Sequence, residues 1–202
     1  MFDLLADIYP DLGLVLVGKQ GWLVEDLVAR IRTHPLRGTR LVWLAGLLDQ
    51  EVAWLYQHAF LGLVPSWSEG LGLPVLEALH YGLPTIVSTG GALPEAGGTA
   101  AEYAAPGDLQ AWTDLVRGHL DDPEHHRRAR VVVAAYEPPT WREAGQSVRL
   151  ALAETGQGDH VDHVDHADHA DHADHADHAD HATHPAAPIT TALTTPARQD
   201  GS

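Results

Sequence analysis

From Asp159 to Ala182 the chain is eight consecutive Asp-His-x triplets, and Thr, Pro and Ala dominate from there to Ser202. Such a stretch has too little apolar surface to offset the entropy of ordering it, so residues 156–202 read as a disordered tail. Anything that packs must come from about the first 155 of 202 residues, which suits one compact domain.

Residues 1–155 alternate short β-branched or Leu-rich runs with longer stretches of helical periodicity, the pattern of a parallel sheet covered by helices. The predicted strands are Leu12 to Val17, Leu41 to Leu44, Leu61 to Val64, Thr85 to Ser88 and Ala101 to Ala104, each bounded by Gly or Pro. Helices are predicted over Met1 to Tyr9, Trp22 to Arg32, Asp49 to Ala59, Pro74 to Tyr81 and Asp108 to Leu120, and then over Pro123 to Tyr136 and Trp141 to Glu154. Pro139 cannot sit inside a helix and Thr140 suits an N-cap, so the last helix starts there; no strand is expected after it. Trp43, Trp54 and Trp112 read as core, and His80 as structural.

The formal charge of -16 excludes binding nucleic acid through a broad basic surface. It divides evenly: 11 basic against 19 acidic residues in 1–155, and Arg198 against nine Asp in the tail, each giving -8. Without cysteine there is no disulfide, thiolate metal site or thiol nucleophile. No run of about 18 uncharged apolar residues occurs, so no transmembrane segment is expected and a cytoplasmic location is the default. His125-His126-Arg127-Arg128 stands beside Asp121, Asp122 and Glu124 and reads as a solvated helix face.

The stretch that carries chemistry runs Pro65-Ser66-Trp67-Ser68-Glu69-Gly70-Leu71-Gly72-Leu73-Pro74-Val75-Leu76-Glu77, between a strand and a helix. Gly70 and Gly72 permit close backbone approach or positive φ, and Pro74 fits a first helical turn. The loop therefore presents backbone N–H groups at a helix start, where an anion is favoured, and at the carboxyl end of a strand, where ligands of open parallel sheets gather. Glu69 and Glu77 would flank the crevice and accept hydrogen bonds from ligand hydroxyls. A Gly-rich turn with an early helical Glu also occurs for purely structural reasons, because the carboxylate complements the helix dipole.

The stretch resembles the Glu-x7-Glu signature of retaining GT-B glycosyltransferases of family 4, with Leu71 in place of the usual Phe. Leu14-Val15-Leu16-Val17-Gly18-Lys19, Leu41-Val42-Trp43-Leu44-Ala45-Gly46-Leu47, Gly82-Leu83-Pro84-Thr85-Ile86-Val87-Ser88 and Leu93-Pro94-Glu95 are similar to other segments of that family's donor domain, in order. The resemblance implies a Rossmann-like α/β sheet, the C-terminal half of a GT-B fold, over residues 1–155. It also implies a nucleotide-diphosphate sugar as donor, with no further cofactor required, and an acceptor of unknown identity. Glu69 would touch the reacting sugar, Glu77 the ribose hydroxyls, and the Gly70, Leu71, Gly72 and Leu73 backbone the sugar or diphosphate. Gly46 and Leu47 would border the base. Retention in this family is ascribed to front-face attack, with the leaving diphosphate assisting deprotonation of the acceptor, so no catalytic base is assigned.

The family's donor domain opens with a strand ending in Gly-Arg, followed by Lys-Asn, and neither occurs here. The chain reads as lacking its first strand, which would lie between Leu12 to Val17 and Leu61 to Val64 and whose loss would leave two buried edges unpaired. Two readings follow: part of a transferase completed by an N-terminal half, or a truncated, inactive remnant that at most binds a nucleotide weakly; the chain as given is expected to fold poorly alone. The tail likewise has two: an appendage without selected chemistry, or a weak, multivalent binder of a divalent metal through His160, His163, His166, His169, His172, His175, His178 and His181.

Overall fold

The computed structural model describes residues 1–21, 24–137, 141–154 and 190–194. Among these, α1 (Phe2–Ile8), β1 (Gly13–Val17), α2 (Glu25–Thr33), β2 (Leu41–Leu44), α3 (Asp49–His58) and β3 (Leu61–Val64) come first. They are followed by α4 (Leu73–His80), β4 (Thr85–Ser88), α5 (Leu93–Gly97), β5 (Glu102–Ala104), α6 (Leu109–Asp121), α7 (Pro123–Ala134), α8 (Trp141–Glu154) and β6 (Thr190–Thr194). The five strands expected from sequence are all present, β2, β3 and β4 with the expected limits. The short α5 has no counterpart in the sequence reading, because Leu93-Pro94-Glu95-Ala96-Gly97 is too brief to show a period.

The strands form one sheet in the order β2-β1-β6-β3-β4-β5. Pairs β1–β2, β3–β4 and β4–β5 are parallel, as the helical crossovers between them require. The helix-covered parallel sheet expected from the pattern, and the Rossmann-like α/β sheet that the resemblance implies, are therefore observed. Every position of β3 and β4 is buried, as in central strands covered on both faces.

Alternation along those strands sorts the helices. Leu61, Leu63 and Ile86 join a cluster with Phe2 and Leu5 of α1, Ile31 of α2, and Trp112 and Val116 of α6. Val64 and Val87, on the opposite side of the pleat, pack with Val75 and Leu79 of α4, Leu93 of α5 and Val133 of α7. Gly62 is also on this second face, opposite Thr85, and a Cβ there would stand 2.8 Å from Thr85 Oγ1. Arg40, just before β2, closes the other end of the first layer: its guanidinium donates to the carbonyls of Ala6, Tyr9, Pro10 and Leu12 at 2.7 to 3.4 Å, capping α1.

The slot between β1 and β3, where sequence reasoning expects an absent strand, is filled by β6. Thr190–Thr194 runs antiparallel to both neighbours, with Ala192 opposite Val15 on one side and Gly62 on the other. The expectation that no strand follows the last helix thus fails at Thr190–Thr194. A five-residue Thr/Ala/Leu run has no period that marks it, and its pairing is with residues about 130 and 175 positions earlier. The eight tail histidines named as metal ligands lie outside the described residues.

Contacts divide the chain into a main unit, Met1–Pro138 with Ala186–Ser202, and a second unit, Pro139–Pro185, which contains α8. Trp112 is buried and Trp43 half-buried, as read from sequence, but Trp54 is exposed and stacks on His58 along α3, with ring centroids 4.1 Å apart. The helical period places Trp54 next to apolar neighbours in sequence without showing which face of α3 the sheet covers. No helix among the described residues is long and apolar enough to cross a membrane.

Candidate functional site at the carboxyl end of the sheet

The loop from Pro65 to Gly72 leaves the carboxyl end of β3 and delivers the chain to α4. Gly72 is the N-cap, at φ +72°, a left-handed conformation that glycine takes without strain. A side chain there would also meet Ala96 Cβ at 3.0 Å and Leu93 Cδ2 at 3.3 Å. No side chain caps α4, and the N–H groups of Gly70, Leu71 and Gly72 donate to no acceptor among the described residues. Pro74 sits in the first turn, where its missing N–H leaves nothing unpaired. The helix start with unpaired backbone N–H groups inferred from sequence is thus present as backbone geometry.

The loop is braced from β4. Ser88, fully buried at the end of that strand, donates from Oγ to the Ser66 carbonyl and accepts from the Gly90 N–H at 3.2 Å. Ala92 donates its N–H to the Glu69 carbonyl at 3.1 Å. Gly90 and Gly91 make this approach possible: a Cβ on Gly90 would collide with the Trp67 carbonyl, and one on Gly91, at φ +58°, would lie 2.6 Å from Ser68 Oγ and 2.7 Å from the Glu69 carbonyl. The sequence reading passed over Gly90-Gly91, although a glycine doublet just past a predicted strand is a readable sign of close backbone approach.

The two carboxylates have separate partners. Glu69, half-buried, accepts from Ser66 Oγ at 2.7 Å within its own loop. Glu77, exposed on α4, accepts from Tyr56 Oη of α3 at 3.1 Å. Gly46, at φ +72°, and Leu47 follow the carboxyl end of β2 and so share an edge of the sheet with the Glu69 loop. They are not its immediate neighbours. Three inter-strand steps separate β2 from β3, roughly 14 Å at the usual spacing. A cavity of about 660 Å³ lies over β1 and β2, bordered by Leu14, Leu16, Trp43, Pro65, Ser66 and Trp67. It adjoins the start of the loop, and neither Glu69 nor Glu77 lines it.

The sequence profile of the family described as "Glycosyl transferases group 1" matches residues 1–122. The chain belongs to that family. This group 1 domain is 40% identical over 77 residues to the serotype-specific mannosyltransferase WbdA of Escherichia coli, covering 38% of this chain and 9% of that protein. It is 32% identical over 149 residues to the O-antigen chain mannosyltransferase B of Escherichia coli, covering 72% of this chain and 33% of the relative. With the MMP alpha-(1->4)-mannosyltransferase of Mycolicibacterium hassiacum it shares 39% identity over 107 residues, 52% of this chain and 25% of the other. The group 1 domain therefore spans a third or less of these relatives. Among solved structures, sucrose-phosphate synthase from Thermosynechococcus elongatus superposes at a TM-score of 0.51 and 24% identity, over 69% of this chain and 38% of that one, which shows the shared fold.

One set of titratable residues escaped the sequence reading. Arg127 and Arg128 do form the solvated face expected of α7, paired with Glu124 at 2.5 Å and Asp122 at 3.6 Å. His125 and His126 do not; they turn inward towards His119 and Glu102. Adjacent charges suggested a uniform exposed face, whereas one helical turn separates what the sheet covers from what solvent covers.

Proposed function

We propose that this domain binds a nucleotide-diphosphate sugar at the carboxyl end of its sheet and forms the donor half of a retaining hexosyltransferase. The observation that carries the reading is the uncapped start of α4: Gly72 in the left-handed conformation and free N–H groups on Gly70, Leu71 and Gly72, with Glu69 in the same loop. Those donors suit a diphosphate or a polarised sugar oxygen, and Leu73 opens the helix whose dipole adds to them. Glu69 is proposed to hold sugar hydroxyls, and Glu77 the ribose hydroxyls, exchanging its Tyr56 contact for the ligand. Gly46 and Leu47 are proposed to border the base. The separation between the β2 and β3 turns suits an extended ligand better than a monosaccharide.

In the proposed reaction the bond from the anomeric carbon to the diphosphate oxygen breaks, and a bond to the acceptor oxygen forms on the same face. The acceptor proton passes to the departing diphosphate, so no side chain here needs to act as nucleophile or base. The charge accumulating on that diphosphate needs preorganised donors, each worth up to ~3 to 4 kcal/mol, beyond three amides in a domain of net negative charge. Since the relatives are much longer than this domain, the cations and the acceptor site are proposed to come from another portion of the transferase. The mannosyl relatives make mannose the first sugar to test.

The test is calorimetric titration of the full chain with nucleotide-linked mannose and glucose. Binding that weakens about tenfold in Glu77→Gln, which loses roughly 1.4 kcal/mol of charge-assisted hydrogen bonding, supports the reading. Unchanged affinity in Glu77→Gln would remove Glu77 from the site, and no binding by the unsubstituted chain would show that this domain does not hold the donor by itself.

A further inference from the structure

At the opposite end of the sheet, Glu102 opens the edge strand β5, His119 lies in the last turn of α6, and His125 lies in the first turn of α7. Their ligand atoms gather within 4.8 Å of one another. Glu102 Oε1 is 3.1 Å from His119 Nε2 and 3.0 Å from His125 Nε2. His119 is 2% exposed, and the other two are about a third exposed.

The distances are those of ion pairs, yet neither ring nitrogen makes a hydrogen bond of good geometry to the oxygen: among the described residues both Nε2 atoms are buried without a hydrogen-bond partner. Buried polar atoms are almost always satisfied, and two that converge beside one carboxylate call for a common partner. Ligand atoms about 2.0 to 2.1 Å from a tetrahedral ion stand roughly 3.3 Å from each other, close to the two oxygen–nitrogen separations, and the two nitrogens, within 4.8 Å, would draw together around an ion. Two imidazoles and one carboxylate are the donor set of zinc and similar borderline ions, whereas magnesium and calcium prefer oxygen alone.

The surroundings orient the rings as outer partners of metal ligands do. His126 Nδ1 lies 3.1 Å from His119 Nδ1, so the two share one proton. His126 is in turn clamped by Phe60, stacked at 4.0 Å between centroids and 12° between planes. When His119 carries the shared proton, its Nε2 presents a bare lone pair to the Glu102 oxygen, an arrangement that a cation between them would relieve.

We propose that Glu102 Oε1, His119 Nε2 and His125 Nε2 form a three-ligand site for zinc or a like divalent ion, which ties the α6–α7 corner to edge strand β5. The fourth position opens to solvent beside His125 and Glu102 and takes water. Because β5 begins at the end of the sheet away from the Glu69 loop, the ion holds structure together and takes no part in donor binding. The site stands or falls independently of the proposed transferase activity.

The tail histidines would obscure the measurement, so the parent for the test is the full-length chain with His160, His163, His166, His169, His172, His175, His178 and His181 changed to Asn, which leaves β6 in place. Equilibrium dialysis against zinc chloride, with metal analysis, should find one zinc per chain. His125→Asn and Glu102→Gln should each weaken binding at least tenfold, and zinc should raise the thermal midpoint of the parent only. No retained zinc, or zinc held equally by parent and both variants, overturns the proposal. Should a variant fail to fold, the cobalt(II) form of the parent decides: intense visible bands of a four-coordinate ion support the site, and the weak spectrum of a six-coordinate ion overturns it.

Discussion

Replacing Ala192 by proline should unfold the main unit at markedly lower denaturant, although Ala192 is 128 residues beyond the end of β3 by its last residue, Val64. Ala192 is the middle residue of β6 and pairs with Val15 in β1 and Gly62 in β3. Because β6 has a strand on each side, the Ala192 N–H is taken by one neighbour or the other, and proline deletes that bond and leaves a buried carbonyl unpaired. The penalty for the orphaned acceptor is ~1 to 3 kcal/mol, and steric conflict of the ring within a central strand brings the sum to about 3 kcal/mol. With a urea m-value of about 2 kcal/mol/M, the midpoint should fall by about 1.5 M. The contrasting variant removes four triplets, residues 165–176, from the connection to β6. By the loop-length dependence of closure entropy, removing 12 residues from a connection of that length costs or gains only about 0.4 kcal/mol, or about 0.2 M. Both shifts are read from tryptophan fluorescence and far-ultraviolet circular dichroism in chelator, which removes any metal contribution. A proline variant whose midpoint stays within about 0.3 M of the parent would refute the placement of β6 between β1 and β3.

Gly91→Ala should destabilise the main unit by about 1 to 2 kcal/mol, from the positive φ and the contacts its Cβ would make with Ser68 and Glu69, and should weaken nucleotide-sugar binding with it. Urea titration and calorimetry check the pair of effects, and a stable variant with normal binding would show the Glu69 loop to be insensitive to its brace. Arg40→Met, which keeps the stem but removes the donors from four carbonyls, should cost about 2 kcal/mol in thermal or urea unfolding. A pH dependence comes from His126: burial foremost, then the charges of His119, Arg130 and His125, push its imidazole down to about 4. An unfolded chain binds that proton near pH ~6.5, so the metal-free protein has its full stability above ~6.5 and loses it as pH falls towards 4. The full shift corresponds to about 3 kcal/mol, roughly halved by solvent screening of a half-buried ring. The thermal midpoint at pH 5 against pH 7.5 should therefore drop in the parent and drop less in His126→Gln; equal drops would sink this account.

Much of the candidate site was legible because its signals are local. Gly72 and Pro74 mark a helix start through backbone conformation alone, and the eight-residue spacing of Glu69 and Glu77 needs no distant partner to be seen. The braces on that loop were less visible. Ser88 reads as an ordinary strand residue until its buried hydroxyl is found between the Ser66 carbonyl and the Gly90 N–H. The link from Glu77 to Tyr56 depends on how α3 and α4 pack, for which neither helix carries a mark.

By itself the sequence determined the order of β1 to β5 and of their helices other than the short α5, and the start of α4. These follow from periodicity, turn chemistry and composition, each of which acts over a few residues. Only the tertiary structure decided that Thr190–Thr194 enters the sheet between β1 and β3, because backbone pairing carries no side-chain code and any short extended run can supply the missing donors and acceptors. Only the tertiary structure brought Glu102, His119 and His125 together, since they belong to three elements and meet through the corner between α6 and α7. Proximity of that kind is set by which helix faces the sheet buries, and burial is a property of the folded whole.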